Sequence, residues 1–153
     1  MRRTILVMGV VGVAALVMLS TPVAAQVDVH VVLQSGRVKF LDFGREGLRL
    51  GDRLATRGPL LEATQTSKVG TAHADCVVVS RITDGRSGPG GVYRCRYLLD
   101  LTDGDLVLEG LDPHGPGVYT MAVLGGTGVY AAASGDATLT DTKTETVFMI
   151  DLS

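Results

Sequence analysis

Residues 121–131 read MAVLGGTGVYA, and this stretch decides the fold class. An apolar run is followed by Gly126, Gly128 and Ala131, spaced as in a dinucleotide-binding loop. Such a loop needs a helix directly behind it, so that the helix N-terminus can hold the pyrophosphate. Here Gly135 comes before a helix could make two turns, and the residues that remain alternate as in a β-hairpin. The stretch therefore predicts a strand and a turn, and no dinucleotide site.

The glycines of this stretch have a structural explanation. Glycine adopts positive φ and allows two backbone segments to approach closely. We therefore predict that Gly125, Gly126 and Gly128 form a structural turn at the rim of the fold. A final hairpin, residues 137–140 and 146–152, is expected to follow.

The chain upstream shows the same pattern of strands and turns. Apolar residues alternate with polar ones, or form short runs between Gly, Pro, Asp and Thr clusters. Strands are predicted at residues 27–31, 38–43, 70–83, 92–101, 106–111 and 118–124, with weaker ones at 50–56 and 60–66 on either side of a Gly58-Pro59 turn. Eight or nine strands at this spacing predict an all-β barrel or sandwich, and a closed barrel leaves no strand edges exposed.

The N-terminal 25 residues have the pattern of a secretory signal peptide. Arg2 and Arg3 precede an uncharged run, residues 5–19, and residues 23–25 are small. An uncleaved membrane anchor is the alternative, but the run is shorter than the about 20 residues that span a bilayer. We expect a secreted, extracellular protein whose residues 26–153 form one β-barrel domain. The abundance of Arg, Gly and Ala suggests a bacterial source.

Composition restricts the partners. The chain has 14 basic and 16 acidic residues, a net charge of −2, whereas nucleic-acid binders are normally basic. We expect no nucleic acid, and no membrane contact after signal cleavage. The spacing of His73 and Cys76, the densest group of possible ligands, matches no zinc pattern, so we expect no metal. Asp112 and three other aspartates near turns are interpreted as surface acids.

Residues 92–101 show which side chains face inward. Strand alternation places Tyr93, Cys95 and Tyr97 on one face and Arg94 and Arg96 on the other. Burying unpaired charge is costly, so the arginines should face water and the tyrosines the interior. A buried Tyr hydroxyl needs a hydrogen-bond partner, which could be the backbone, water or a ligand.

The two cysteines lie in one predicted hairpin. Residues 84–91 form a loop rich in Gly and Ser that folds the strand of Cys76 back on that of Cys95. Cys76 is in phase with Val78, and Cys95 with Tyr93, so both can share the inner face. We predict a disulfide between them, with two unlinked buried thiols as the alternative.

Residues 122–130, AVLGGTGVY, and 133–135, ASG, resemble a segment of dirigent proteins and allene oxide cyclases. Residues 50–52, LGD, and 69–72, VGTA, with Cys76, are similar to stretches of the cyclases, so the likeness extends over residues 50–152. It implies a closed, calycin-like, eight-stranded antiparallel barrel with an apolar cavity, commonly assembled as a homotrimer.

The resemblance also implies a function, since members of this family cyclise or steer reactive small molecules without a cofactor. Our leading interpretation is a barrel that binds a small hydrophobic molecule, with Tyr93 and Tyr97 in the cavity. An isomerase or cyclase for a hydrophobic metabolite is the alternative, and a filled-core interaction module is a third. The plant cyclases carry a Glu in their first strands; here Asp42 is the one acid in residues 38–44, and we expect it near the cavity mouth.

We expect N-terminal sequencing of secreted protein to begin at or near Gln26. The reason is the order of positive, apolar and small residues in residues 1–25. Retention of the intact segment in the exported protein would contradict a cleaved signal.

Overall fold

The computed structural model describes residues 28–34, 36–44, 47–82, 90–113, 115–142 and 144–153, so the predicted signal peptide lies outside it. The described residues form nine strands and one turn of 3-10 helix, Gly128–Tyr130. The strands are β1 (Asp28–Gln34), β2 (Arg37–Leu41), β3 (Arg53–Glu62), β4 (Lys68–Ile82), β5 (Gly90–Leu101), β6 (Gly104–Asp112), β7 (Gly117–Gly126), β8 (Gly135–Asp141) and β9 (Glu145–Leu152). Within these residues, no helix is long and apolar enough to cross a bilayer.

Eight of the strands close into an antiparallel barrel, as the sequence predicts. From β3 to β9, each strand pairs with the next along the chain. The ring closes at β1, where Val31 lies opposite Phe148 of β9 on one side and Glu62 of β3 on the other. β2 stays outside the ring and pairs with β3.

The interior is apolar because inner and outer residues alternate along each strand. The largest side chains without solvent exposure include Leu60, Leu99, Leu106, Leu108 and Phe148. The ring of Phe148 packs edge-on against that of Tyr97, with centroids 5.3 Å apart. These side chains fill the barrel below Tyr97. We call the end with the β5–β6 turn the base, and the end where β6 and β8 finish the mouth.

Gly58-Pro59 is not a turn, and this prediction was wrong: β3 runs straight through it. On one edge β3 pairs with β4 throughout, including Pro59 with Thr71. On the other edge, pairing with β2 ends at Arg57 and pairing with β1 begins at Leu60. Pro59 therefore lies between two stretches of pairing, where its missing N–H removes no ladder bond on that edge.

The glycine turn that follows β7 lies against the β5–β6 turn at the base. The Thr127 amide donates to the Asp105 carbonyl at 2.9 Å, and the Val129 amide to that of Asp103 at 3.0 Å. A Cβ on Gly126 would lie 2.2 Å from the Asp105 carbonyl oxygen, and Gly128 has φ +59°. Backbone contact explains these glycines, and the long helix of a nucleotide site is replaced by the single 3-10 turn.

We expect Gly126→Ala to lower the free energy of unfolding by about 1–3 kcal/mol, the usual cost of overpacking. The added methyl would meet backbone that cannot move aside. Gly44→Ala is the control, because its Cβ would meet the Arg49 side chain at 3.4 Å and nothing closer. Denaturant unfolding of both variants is the measurement, and a Gly126→Ala midpoint equal to that of the control would contradict the close contact.

Candidate functional site at the barrel mouth

The mouth is open on one side because β1 and β9 stop pairing there. Their last pair is Gln34 with Glu145, beyond which the chain continues as β2 along β3 alone. Val38 and Phe40 of β2 are in phase with Thr56 and Leu54 of β3, and they are 62% and 44% exposed. Val38 and Phe40 therefore form an apolar lip on one side of the opening, and this lip faces the β8–β9 turn.

A cavity of about 170 Å³ lies between this lip and the β8–β9 turn. One wall is mainly apolar and includes Leu33, Val38, Leu54, Ala74, Cys76 and Tyr97. The other wall is polar and includes Asp112, Asp141, Thr142, Thr144, Glu145 and Thr146. The cavity therefore has the form common to small-molecule sites, an apolar surface with a few polar groups on one side.

Tyr97 connects the two walls. Its ring packs on Phe148, and the residue is only 7% exposed. Tyr97 is also in the lining of the cavity. Burial raises the pKa of Tyr97, and the carboxylates of Asp112 and Asp141 raise it further. The hydroxyl is therefore neutral.

Asp112 and Asp141 project inward from the ends of β6 and β8. Asp112 is in phase with the buried Leu108, and Asp141 accepts a hydrogen bond from the Thr146 hydroxyl at 2.9 Å. Burial, followed by these two carboxylates, raises the pKa of Tyr119 to about 12. The negative potential of both acids thus reaches the tyrosines around the mouth.

The predicted disulfide is present and forms part of the cavity wall. Cys76 and Cys95 are direct partners across β4 and β5, and both are buried. The Cys95 sulfur lies 3.9 Å from a carboxylate oxygen of Asp112; it has no proton to donate, so this is a packing contact. The bridge links β4 covalently to β5, the strand that carries Tyr97.

The predicted ligand-binding residues do not all meet at this cavity. Tyr93 and Tyr97 are buried while Arg94 and Arg96 are exposed, so both tyrosines lie on the inner face. Tyr97 lines the cavity, whereas Tyr93 lies four residues further out on β5 and is not in the lining. The part of either tyrosine in binding a ligand stays a prediction.

Asp42 also lies outside the lining of the cavity. It is exposed, and its carboxylate accepts a hydrogen bond from the Gly44 amide at 2.8 Å. Asp112, Asp141 and Glu145 are the acids that the cavity lining does contain. Asp112 was interpreted as a surface turn acid; its even spacing from Leu106 and Leu108 is the signal that places it inside.

Asp52 is a buried acid whose role the sequence does not reveal. It is 1% exposed, and its carboxylate accepts hydrogen bonds from the amides of Arg49 at 2.7 Å and Phe43 at 3.2 Å. Its own carbonyl accepts from the Val78 amide at 2.9 Å. Asp52 therefore fastens the segment between β2 and β3 to the β4 strand at the mouth.

A larger groove, about 270 Å³, lies on the outer surface of the barrel. Its lining includes Arg53, Asp75, Arg96 and Glu109, which form two ion pairs: Arg53 with Asp75, and Arg96 with Glu109 at 2.7 Å. These side chains are solvated and already paired, so such a groove offers little binding energy. The mouth, with an apolar wall and Tyr97 in its lining, is the better candidate.

Similar proteins are found among solved structures. A pyocyanin demethylase superposes with a TM-score of 0.70 at 26% identity, over 83% of this chain and 100% of that one. A pterocarpan synthase dirigent protein gives 0.59 at 18% identity, over 83% and 82%. The chain has the dirigent and cyclase barrel fold. A Diels–Alderase from Streptomyces koyangensis gives 0.64 at 14% identity, over 84% of this chain and 63% of the enzyme.

No family model and no curated protein matches the chain. The likeness to the dirigent protein and the Diels–Alderase therefore concerns the barrel fold alone.

We expect Asp52→Ala to lower the free energy of unfolding by about 1–3 kcal/mol, the cost of leaving a buried donor unsatisfied. Two amides would lose their acceptor. Asp42→Ala, which removes one exposed acceptor nearby, is the control and should change stability by less than about 0.5 kcal/mol. Denaturant unfolding compares them; equal effects would contradict the fastening role of Asp52.

Proposed function

We propose that this is a secreted barrel that binds one small, largely apolar ring molecule at its mouth. The observation that carries the proposal is a cavity of about 170 Å³ that has one apolar wall, with Tyr97 and several polar side chains in its lining. An apolar surface with a few polar groups is the usual form of a small-molecule site. The Tyr97 hydroxyl would donate a hydrogen bond to an acceptor on such a ligand.

The size of the cavity limits what enters it. A protein cavity of about 150 Å³ holds one benzene molecule. The mouth cavity, at about 170 Å³, therefore takes one ring, and a larger ligand would extend outward across the lip of Val38 and Phe40. Burial of the inserted ring against Leu54 and Ala74 would provide the hydrophobic part of the binding energy.

The similar structures support a ring molecule as the ligand. Their names refer to pyocyanin, to pterocarpan synthesis and to a [4 + 2] cycloaddition. Secretion is supported by the signal-like pattern of residues 1–25 and by the Cys76–Cys95 disulfide, which is typical of oxidising compartments.

Conversion of the bound molecule is a second candidate function, favoured by the groups beside Tyr97. A neutral hydroxyl and the carboxylates of Asp112 and Asp141 act on one small space, as their effect on the pKa of Tyr97 indicates. A carboxylate could accept a proton from one atom of the ligand while the tyrosine donates to another. Such an isomerisation needs no redox partner and no cofactor.

Binding of acridine, followed by its fluorescence, tests the proposal. Acridine is a neutral, flat molecule above pH 7, and its ring nitrogen can accept the Tyr97 hydrogen bond. We expect Tyr97→Phe, which keeps the ring, to weaken binding about 3- to 10-fold, the value of one hydrogen bond. Tyr130→Phe is the matched control, because Tyr130 is buried at the base of the barrel.

A second variant closes the cavity itself. Ala74→Leu adds apolar volume inside the lining and should abolish acridine binding while the far-ultraviolet circular dichroism keeps its β-signature. If acridine does not bind the wild type, or if neither Tyr97→Phe nor Ala74→Leu alters its affinity, the proposed function is wrong.

A further inference from the structure

One edge of the strand β2 has no partner in the part of the chain that the structure describes. β2 pairs with β3 on its other edge over Arg37–Leu41, and it is the last strand of the sheet. β1, which precedes it, also pairs with β9, but β9 begins at Glu145, opposite Gln34. Beside β2, the N–H and C=O groups of alternate residues therefore point toward a line that no described strand occupies.

The two faces of β2 differ in chemistry along this free edge. Val38 and Phe40 face the mouth side and are 62% and 44% exposed. Arg37 and Lys39 face the outer side and are also exposed. Short, charged edge strands protect a fold from aggregation, but two exposed apolar side chains on such a strand do the opposite. A partner strand that covers Val38 and Phe40 explains them.

The positive charge on the outer face has no counter-charge among the described residues. Arg37 lies directly opposite Arg57 across the β2–β3 ladder, and both line an outer groove together with Lys68. No acid is among the described residues of that lining, and none of these three cations forms an ion pair with a described residue. Because like charges directly opposite one another destabilise a sheet, a negatively charged partner on this face would relieve the repulsion.

We propose that the free edge of β2 binds an extended, acidic segment of a partner protein as an added antiparallel strand. The acidic side chains of the segment lie on the outer face, beside Arg37 and Lys39. Its apolar side chains lie on the mouth side, beside Val38 and Phe40. In complexes of this kind the main-chain hydrogen bonds give affinity and the alternate side chains give specificity. The inference uses no contact of Tyr97 and is independent of the proposed function.

A second copy of this chain fits the edge less well. When two β2 strands pair antiparallel, residues of the same face lie side by side. Arg37 and Lys39 of one copy would therefore lie against the same residues of the other, and their like charges would repel. An acidic segment meets attraction where a second copy meets repulsion.

Fluorescence anisotropy of a fluorescein-labelled peptide tests the proposal. The peptide has seven residues, alternating Glu and Val, with both ends blocked, and the comparison peptide has Lys in place of each Glu. We expect the Glu–Val peptide to bind the folded protein about 10-fold more tightly, because its cross-strand charge pairs are attractive and those of the Lys–Val peptide are repulsive. The difference should decrease as salt is added, since exposed charges are screened.

Two further peptides test the backbone pairing itself. In one Glu–Val peptide the amides of the Glu residues are N-methylated, and in the other those of the Val residues. Only alternate amides of an added strand bond to the neighbouring strand. One methylated peptide should therefore lose affinity about 10-fold or more, and the other should keep most of it. Equal effects of the two methylation patterns would indicate attraction between charges without strand pairing, and would overturn the proposal.

Charge reversal on β2 locates the site, and circular dichroism checks that each variant folds. The double variant Arg37→Glu with Lys39→Glu should reverse the preference, so that the Lys–Val peptide binds more tightly. Arg81→Glu with Arg94→Glu is the matched control, because it changes the net charge equally at exposed positions of β4 and β5. If the double variant of β2 does not fold, Lys39→Glu alone should still reduce the preference for the Glu–Val peptide.

The remaining outcomes decide against the proposal. If neither peptide binds the wild type, or if the control changes the preference as much as the β2 variant does, the proposal is overturned. If the protein alone is a dimer in which the β2 amides exchange slowly with solvent, the edge pairs with a second copy, and the proposal is again overturned. None of these results involves acridine, so a failure here leaves the proposed function standing, and the reverse also holds.

Discussion

Closure of the barrel depends on the segment that joins β1, which pairs with two strands, to β2, which pairs with one. Over Val31 to Leu33 it pairs with both β9 and β3, and this closes the ring. At Gly36 the chain crosses so close to β3 that an added Cβ would lie 2.3 Å from the Arg57 carbonyl oxygen, and one on Gly58 would lie 2.9 Å from that of Gln34. Only residues without side chains allow this crossing, so closure depends on both glycines.

The same crossing produces the site. Once the chain has left β9 it follows β3 as β2, and the ring opens between β2 and the β8–β9 turn. Toward the base, Phe148 and the leucines around it fill the barrel, so a ligand can enter only as far as Tyr97. The chain thus places inward-facing acids, Asp112 and Asp141, at the open end of the barrel, and keeps charge out of the filled part.

The sequence predicted the closed barrel, the inner face of β5 and the disulfide, because each follows from alternation within one hairpin or from a family resemblance. It missed features that long-range pairing decides. Gly58-Pro59 has the local composition of a turn, but its neighbours on both edges hold it in a strand. Asp112 ends its strand just before a turn, so composition alone indicates a surface position. Asp42 was predicted near the cavity mouth only because it is the one acid in residues 38–44.

The central claim is that a small ring molecule binds at the mouth, between the lip of Val38 and Phe40 and the β8–β9 turn. A crystal structure of the protein with acridine tests it most directly. The account predicts density for one inserted ring against Tyr97, and no density deeper than Phe148. Density in the outer groove beside Arg94, with an empty mouth, would contradict the account.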